Sequence, residues 1–371
     1  MSAAPLRLLI AGGGTGGHLY PGIAVAEEVT AVPGGLAVFV GTARGLETKL
    51  VPQAGFPLEL VKVSGLKRMG LRGLVNGLAR LPRALLESRR ILRRHRPDVV
   101  LGVGGYASGP LVLMAALSGY PTAVQEQNSF PGFTNRLLGH FARRVFVAFD
   151  EASGFFARRK VRLTGNPVRR RFLDRALTAT GSGKNILVLG GSQGSHAVNE
   201  LATGLVRVLD ARGRLPLVVH QTGADEFDRM QLHYAALGYE GRVDVRAFID
   251  DMPGVLADAA LVVARAGALT LAELAIMKRP AILIPLPTAA DDHQTRNAMA
   301  FERAGAAVIL HQSDASATRL GDLVDQILGD PARYESMSAA MGALARAEAT
   351  RAVVAELESI ARRRKGDTAR A

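Results

Sequence analysis

The chain has 371 residues, 48% of them apolar, which is long for one ordinary domain and enough for two real cores. It contains no Cys, which excludes disulfides, thiolate catalysis, Fe–S clusters and Cys-zinc sites. Its formal net charge of +13 points to an anionic partner: nucleic acid, an anionic membrane surface or phosphorylated substrates. The opening MSAAPLRLLIAGGG lacks the basic-then-apolar layout of a secretory signal, and no uncharged apolar run reaches the roughly 18 residues of a transmembrane helix.

In chain order, β-rich runs are expected at LRLLIAG (6–12), LAVFVG (36–41), LELVKV (58–63), DVVLGVG (98–104), TAVQEQ (122–127) and RVFVAF (144–149). Helical spacing lies between them, as at 22–30 and 108–118. Within this first series, residues 62–96 hold eleven Lys/Arg and one Glu. Leu71, Leu74, Val75 and Leu78 recur there at spacings of three and four, beside Arg68, Arg72, Arg80 and Arg83. A basic and apolar helix of this kind reads as a peripheral contact with anionic lipid over 66–85, although Pro82 should bend or interrupt it. The competing reading is a surface helix packed on the sheet.

VRLTGNPVRRRF (161–172) and the loose TATGSGK (178–184) follow, and a hinge is expected near 164–167. The series then restarts at NILVLGG (185–191), LPLVVHQ (215–221), VDVRAFI (243–249), ALVVARAG (260–267) and PAILIPL (280–286). Residues 334–364 read as a helix able to pack back on the first domain. Near-continuous apolar strands alternating with helices mean parallel sheets covered on both faces. The expected class is α/β, with two Rossmann-like, doubly wound domains over 1–164 and 165–345 facing across a cleft, and a C-terminal helix at 346–364 joined to the first.

Gly12, Gly14 and Gly17 fit G-x-G-x-x-G, the pattern that holds a dinucleotide pyrophosphate. A dinucleotide site also needs an acid about 20 residues on, at the end of the second strand, to bond the ribose. Here that strand ends in Gly41-Thr42, so a nicotinamide or flavin enzyme is disfavoured. The loop keeps the physics of an anion cradle, because glycines let backbone approach and a helix N-terminus favours negative charge. GVGGYASGP (102–110) and LGGSQGSHAVNE (189–200) follow strands in the same way, and none of the three is a P-loop: Lys184 has the wrong spacing. There is no D-x-D, so a sugar-nucleotide enzyme here would use cationic side chains and helix dipoles where others use Mg²⁺. Aromatic residues are 5% with no Trp, and no nucleic-acid motif occurs, which argues against nucleic acid.

GGGTGGHLYPG, GGYASGP, QEQNSFPG, GNPVR, LGGSQGS, FIDDM, GALTLAE and DDHQTRNA occur in series from about residue 7 to about 345. In this order and spacing the chain resembles the MurG family of N-acetylglucosaminyltransferases, which convert lipid I to lipid II in peptidoglycan synthesis. The resemblance implies a GT-B fold and no metal or other cofactor. It also implies inversion at the anomeric carbon and a peripheral place on the cytoplasmic face of the inner membrane, near other cell-wall synthesis proteins. The partners it implies are UDP-GlcNAc and undecaprenyl-pyrophosphoryl-MurNAc-pentapeptide.

By the same resemblance, Thr15, Gly16, Gly17, Asn128 and Arg169 match donor-contacting positions, and Ser192 matches a hydroxyl near the diphosphate. Ile249 matches the residue whose backbone meets uracil. Ala268, Leu269, Thr270 and Glu273 match the helix start at the diphosphate and ribose, with Glu273 on the ribose hydroxyls; Gln294 and Asn297 match the donor-sugar segment. Ala266 departs from the Ser many relatives carry, while Gly267 keeps its backbone role. Gly14, Gly104, Gly105, Tyr106 and Ser108 fall where an acceptor diphosphate would sit. Two groups can serve as general base. His18 stands at a helix N-terminus, where the dipole favours the neutral ring; Glu126 follows the fifth strand and could equally brace its loop. His293, beside two Asp, reads as solvated.

Overall fold

The computed structural model describes residues 5–43, 45–62, 70–105, 107–178 and 183–368, with side chains left undescribed over 70–80 and 363–368. The chain divides into two compact units, Met1–Arg169 with Glu348–Ala371, and Arg170–Ala347. Residues 164–167, where the sequence places the hinge, are buried within the first.

The first unit runs β1 (Arg7–Gly12), α1 (Gly16–Thr30), β2 (Leu36–Gly41), α2 (Glu47–Gln53), β3 (Leu58–Leu60) and α3 (Gly70–His95). It continues with β4 (Val99–Gly104), α4 (Ser108–Leu117), β5 (Thr122–Glu126), α5 (Phe133–Phe141), β6 (Arg144–Val147) and β7 (Val161–Leu163). All seven strands are parallel in the order β3-β2-β1-β4-β5-β6-β7. β1 shows why: only Arg7 of RLLIAG is exposed. Its Leu8 and Ile10 pack with Leu19, Ile23 and Ala26 of α1, while Leu9 and Ala11 pack on the opposite face with Leu111, Val112 and Ala115 of α4. Burial on both faces rewards a continuous apolar run, each Leu or Ile contributing about 1.5–3 kcal/mol.

The second unit runs α6 (Arg170–Thr178), β8 (Asn185–Leu189), α7 (His196–Ala211), β9 (Val218–Gln221), α8 (Phe227–Ala236), β10 (Val243–Arg246) and α9 (Met252–Asp258). It goes on through β11 (Ala259–Ala264), α10 (Ala268–Met277), β12 (Ala281–Leu283), α11 (His293–Arg303), β13 (Ala307–Ile309), α12 (Ala317–Leu328) and α13 (Pro331–Ala343). Its six parallel strands are ordered β10-β9-β8-β11-β12-β13. The last helix, α14 (Ala349–Thr368), returns to the first unit and packs on α1.

Three local readings change. The tail expected as one helix over 334–364 is two, α13 and α14, belonging to different units. β7 and β13 are strands of three residues, too short to show a period. Pro82 neither ends nor splits α3, which runs from Gly70 to His95 with the proline inside it.

Candidate active site

In the first unit, β1 and β4 are neighbours at the point where the strand order reverses, and the loops after them meet there. Gly104 (φ +102°) and Gly105 (φ +80°) make the approach possible. A Cβ on Gly104 would lie 2.6 Å from His18 Nδ1, and one on Gly105 would lie 2.3 Å from the Gly13 carbonyl oxygen. Gly14, Thr15, Gly16, Gly17 and His18 therefore gather beside Gly104 and Gly105. Thr15 stands at the N-cap of α1 with extended backbone, yet its side chain makes no capping bond. Tyr106 lies outside the described residues.

His18 is half-buried, and its Nδ1 lies 3.2 Å from Gln127 Oε1. Gln127 is buried and donates from Nε2 to the Val103 carbonyl at 2.8 Å, while its own carbonyl accepts from Asn166 Nδ2 at 3.2 Å.

Glu126, the other candidate base, is 1% exposed, and both its oxygens are occupied. Oε1 accepts from the Asn128 amide at 2.9 Å and from Asn128 Nδ2 at 3.3 Å. Oε2 accepts from the Gly132 amide at 3.1 Å and from Asn135 Nδ2 at 2.8 Å. Burial raises its pKa above the ordinary carboxylate value, and those donors oppose the rise. The arrangement braces the loop that carries Asn128. Ser108 is likewise fully buried, its hydroxyl donating to the Gly105 carbonyl at 2.7 Å, so it shapes the loop and presents no exposed hydroxyl to a ligand.

Glu47 lies in the chain beyond the strand end where a ribose-binding acid would stand, and it turns back beneath the glycine loop. It accepts from the Gly14 amide at 2.9 Å, the Thr42 amide at 2.8 Å and the Thr42 hydroxyl at 2.7 Å. Burial works to raise its pKa, but these donors prevail and hold it below the ordinary carboxylate range. The Gly14 amide is thus engaged within the protein, while the residue itself is exposed. Arg169, the last residue before the second unit, stacks its guanidinium 4.0 Å from the centre of the Tyr20 ring.

In the second unit the reversal point lies between β8 and β11. Ser192 is exposed on the loop after β8. Ala268, Leu269 and Thr270 open α10 after β11, where Gly267 occupies the N-cap and no side chain caps the helix. Glu273 is buried on the second turn of α10. Ile249 is buried with its amide directed to Gln221 Oε1 at 3.3 Å. On α11, Gln294 accepts the Leu286 amide at 3.0 Å and Asn297 is fully buried, bonding the Ala266 carbonyl at 3.3 Å. His293 Nδ1 contacts the Ala290 carbonyl at 2.6 Å.

Arg265 was not distinguished by any motif. It is buried at the end of β11, where its guanidinium bonds the Ile284 carbonyl at 3.0 Å, the Pro285 carbonyl at 3.1 Å, and Ser195 Oγ and Gln312 Oε1 at 2.8 Å each. All four acceptors are neutral. Ser195 is itself the N-cap of α7, so a buried cation stands behind the glycine loop after β8. Burial lowers its pKa below the ordinary guanidinium value.

Of the expected lipid-facing residues, Arg68 lies outside the described residues, as do the side chains of Leu71, Arg72, Leu74, Val75, Leu78 and Arg80 on α3. Arg83 is exposed and pairs with Glu87 at 3.2 Å. Just beyond it, α3 and α4 enclose a groove of about 770 Å³ lined by Leu85, Leu86, Met114 and Leu117, with Arg89 and Arg93 among its walls. Leu86 is 57% exposed and Leu117 67%. On α5, packed beside α4, Phe133, Leu137 and Phe141 form an exposed stripe. No described helix is long and apolar enough to cross a membrane.

Two family models match the chain: the glycosyltransferase family 28 N-terminal domain over residues 8–147 and the family 28 C-terminal domain over residues 185–354. The chain is 50% identical, over 98% of its length and 96% of the relative's, to the UDP-N-acetylglucosamine–N-acetylmuramyl-(pentapeptide) pyrophosphoryl-undecaprenol N-acetylglucosamine transferase of Anaeromyxobacter sp. (strain Fw109-5). It resembles the crystal structure of Acinetobacter baumannii MurG with a TM-score of 0.74 at 30% identity, covering 96% of this chain and all of that one. It resembles CalG4, the calicheamicin glycosyltransferase, with a TM-score of 0.65 at 16% identity over 96% and 98% of the two chains, a likeness of fold alone. Two parallel α/β units with these neighbours constitute the GT-B fold. Matched in both halves and over almost its whole length, the chain belongs to the family 28 glycosyltransferases, in the MurG branch of N-acetylglucosamine transferases.

Proposed function

We infer that the chain transfers GlcNAc from UDP-GlcNAc to the 4-hydroxyl of MurNAc in undecaprenyl-pyrophosphoryl-MurNAc-pentapeptide, lipid I to lipid II, with inversion at C1. The observation that carries this reading is the 50% identity over 98% of the chain to a transferase of that name.

In the second unit, the uncapped start of α10 and the loop bearing Ser192 take the donor diphosphate, with amides and helix dipole stabilising the charge that grows as UDP departs. Arg265 adds a buried positive charge behind them. Arg169, at the end of the first unit, is a further donor position. Glu273 accepts the ribose hydroxyls, Ile249 meets the uracil through its backbone carbonyl, since its amide is engaged, and Gln294 faces the sugar with Asn297 buried behind it. Thr15, Gly16, Gly17 and Asn128 are the first unit's donor positions. Gly104, Gly105 and the neighbouring loop, with Gly14 at its edge, receive the acceptor diphosphate. His18 takes the acceptor's proton, and Glu126 holds the Asn128 loop. His18 is preferred because Glu126 already accepts four hydrogen bonds in full burial.

The enzyme sits peripherally on an anionic membrane. Its lipid-facing surface includes the α3–α4 groove and the α5 stripe, where exposed Leu and Phe adjoin Arg83, Arg89 and Arg93. Radiolabelled UDP-GlcNAc with a short-chain lipid I analogue tests the activity. Label should move to the analogue at an undiminished rate in EDTA. Transfer to diacylglycerol instead, or binding without turnover, would replace this reading.

A further inference from the structure

We propose that Gln127 fixes the tautomer of His18, so that Nδ1 carries the hydrogen and Nε2 is the nitrogen that receives the acceptor's proton. The inference rests on the reading of His18 as general base and makes Gln127 its positioning residue. The Val103 carbonyl can only accept, so the Gln127 nitrogen must face it, at 2.8 Å. The amide oxygen is thereby turned to His18 Nδ1, at 3.2 Å, and that oxygen can only accept as well. The ring must donate from Nδ1, which leaves the lone pair on Nε2.

Both partners lie against the first unit's backbone. Gln127 is buried, with its backbone carbonyl held by Asn166. The imidazole lies against Gly104 so closely that a single added carbon there would strike it. A neutral amide suits this task better than a carboxylate. It orients the ring without favouring the imidazolium, so the base begins the cycle uncharged. In the step itself the 4-hydroxyl oxygen bonds to C1 as its proton passes to Nε2. The C1–O bond to UDP breaks, and its electron pair leaves on the diphosphate. His18 ends as an imidazolium whose Nδ1–H still points at Gln127.

The test uses the full chain labelled with ¹⁵N-histidine, the signal of His18 among the eight histidines being the one lost in His18→Ala. At neutral pH the wild type should show a protonated Nδ1 and a bare Nε2. Gln127→Met, which keeps the volume and removes both bonds, should move the ring toward the Nε2–H form that imidazole prefers in water. It should lower kcat about 10- to 100-fold while leaving the KM for UDP-GlcNAc within about twofold. Gln127→Glu, which keeps an acceptor facing Nδ1, should retain the Nδ1–H signature. A wild-type ring protonated on Nε2, or a Gln127→Met enzyme with unaltered tautomer and kcat, overturns the proposal. Failure of the base reading is separate: His18→Ala would then turn over at the wild-type rate whichever nitrogen carries the hydrogen.

Discussion

Two buried polar side chains of the second unit, Glu273 and His220, have different surroundings. Glu273 is one turn inside α10 and buried; the proposed donor site uses its carboxylate for the ribose. Glu273→Ala should raise the KM for UDP-GlcNAc at least about tenfold, since charge-assisted hydrogen bonds of roughly 1.5–3 kcal/mol are lost; steady-state kinetics with varied donor would detect this. His220 is a structural counterpart. It is buried on β9 between Tyr234 and Asn199, and burial pushes its pKa down from 6.5 to about 4, with Glu226 opposing. The unfolded chain therefore binds a proton that the folded unit refuses. The stabilising term is complete above pH 6.5 and fades as pH falls toward 4, by about 3 kcal/mol. Urea unfolding across this range should show the loss in the wild type and a shallower decline in His220→Gln.

Individual residues were unevenly legible. Gly104 announced itself because only glycine fits its φ and its closeness to His18. Glu47 did not, because its partner is an amide 33 positions earlier. Gln127 was quoted inside a motif, but nothing in QEQN says that one amide faces a histidine across the sheet while its neighbour Glu126 closes a loop. Arg265 lies within ALVVARAG, where no motif marks it.

At the scale of elements, helix starts differ in how they are closed. α9, α12 and α13 are capped by Asp251, Ser316 and Asp330, whereas α1 and α10 begin beside glycine loops with no side-chain cap. An uncapped start offers its amides to an anion. The long apolar strands were readable because burial on both faces leaves an unbroken run, while β7 and β13 acquire strand character only from their neighbours in the sheet. The basic helix α3 was legible as charge among leucines, but the groove was not, since α4 supplies half of it. Arg83, Arg89 and Arg93 replaced together by Glu should weaken binding to anionic vesicles by a hundredfold or more, at about 1 kcal/mol per cation removed. Flotation assays would measure it, and unchanged binding would remove this surface from the membrane contact.

For the molecule as a whole, the order of the motifs carried more than any one of them: eight short segments in series pointed to two α/β halves that the separate sheets then displayed. What the series could not convey is how the ending is shared. Val353, Val354, Leu357 and Ile360 of α14 lie in the same core as Leu8 and Ile10, and Glu356 holds Arg144 at 2.7 Å and Arg162 at 3.0 Å. Removing everything after Ala347 should destabilise the first unit selectively, with protease digestion leaving a resistant core of residues 170–347.

The return of α14 also bears on how the protein is born. A ribosome delivers the amino-terminal sheet early, yet the part of that unit's core which α14 covers stays open until that helix is made. The later half has all its own pieces before then, and so the part made first must be the part completed last. During that interval the apolar residues of the strands and α1 that α14 will cover lie open to solvent.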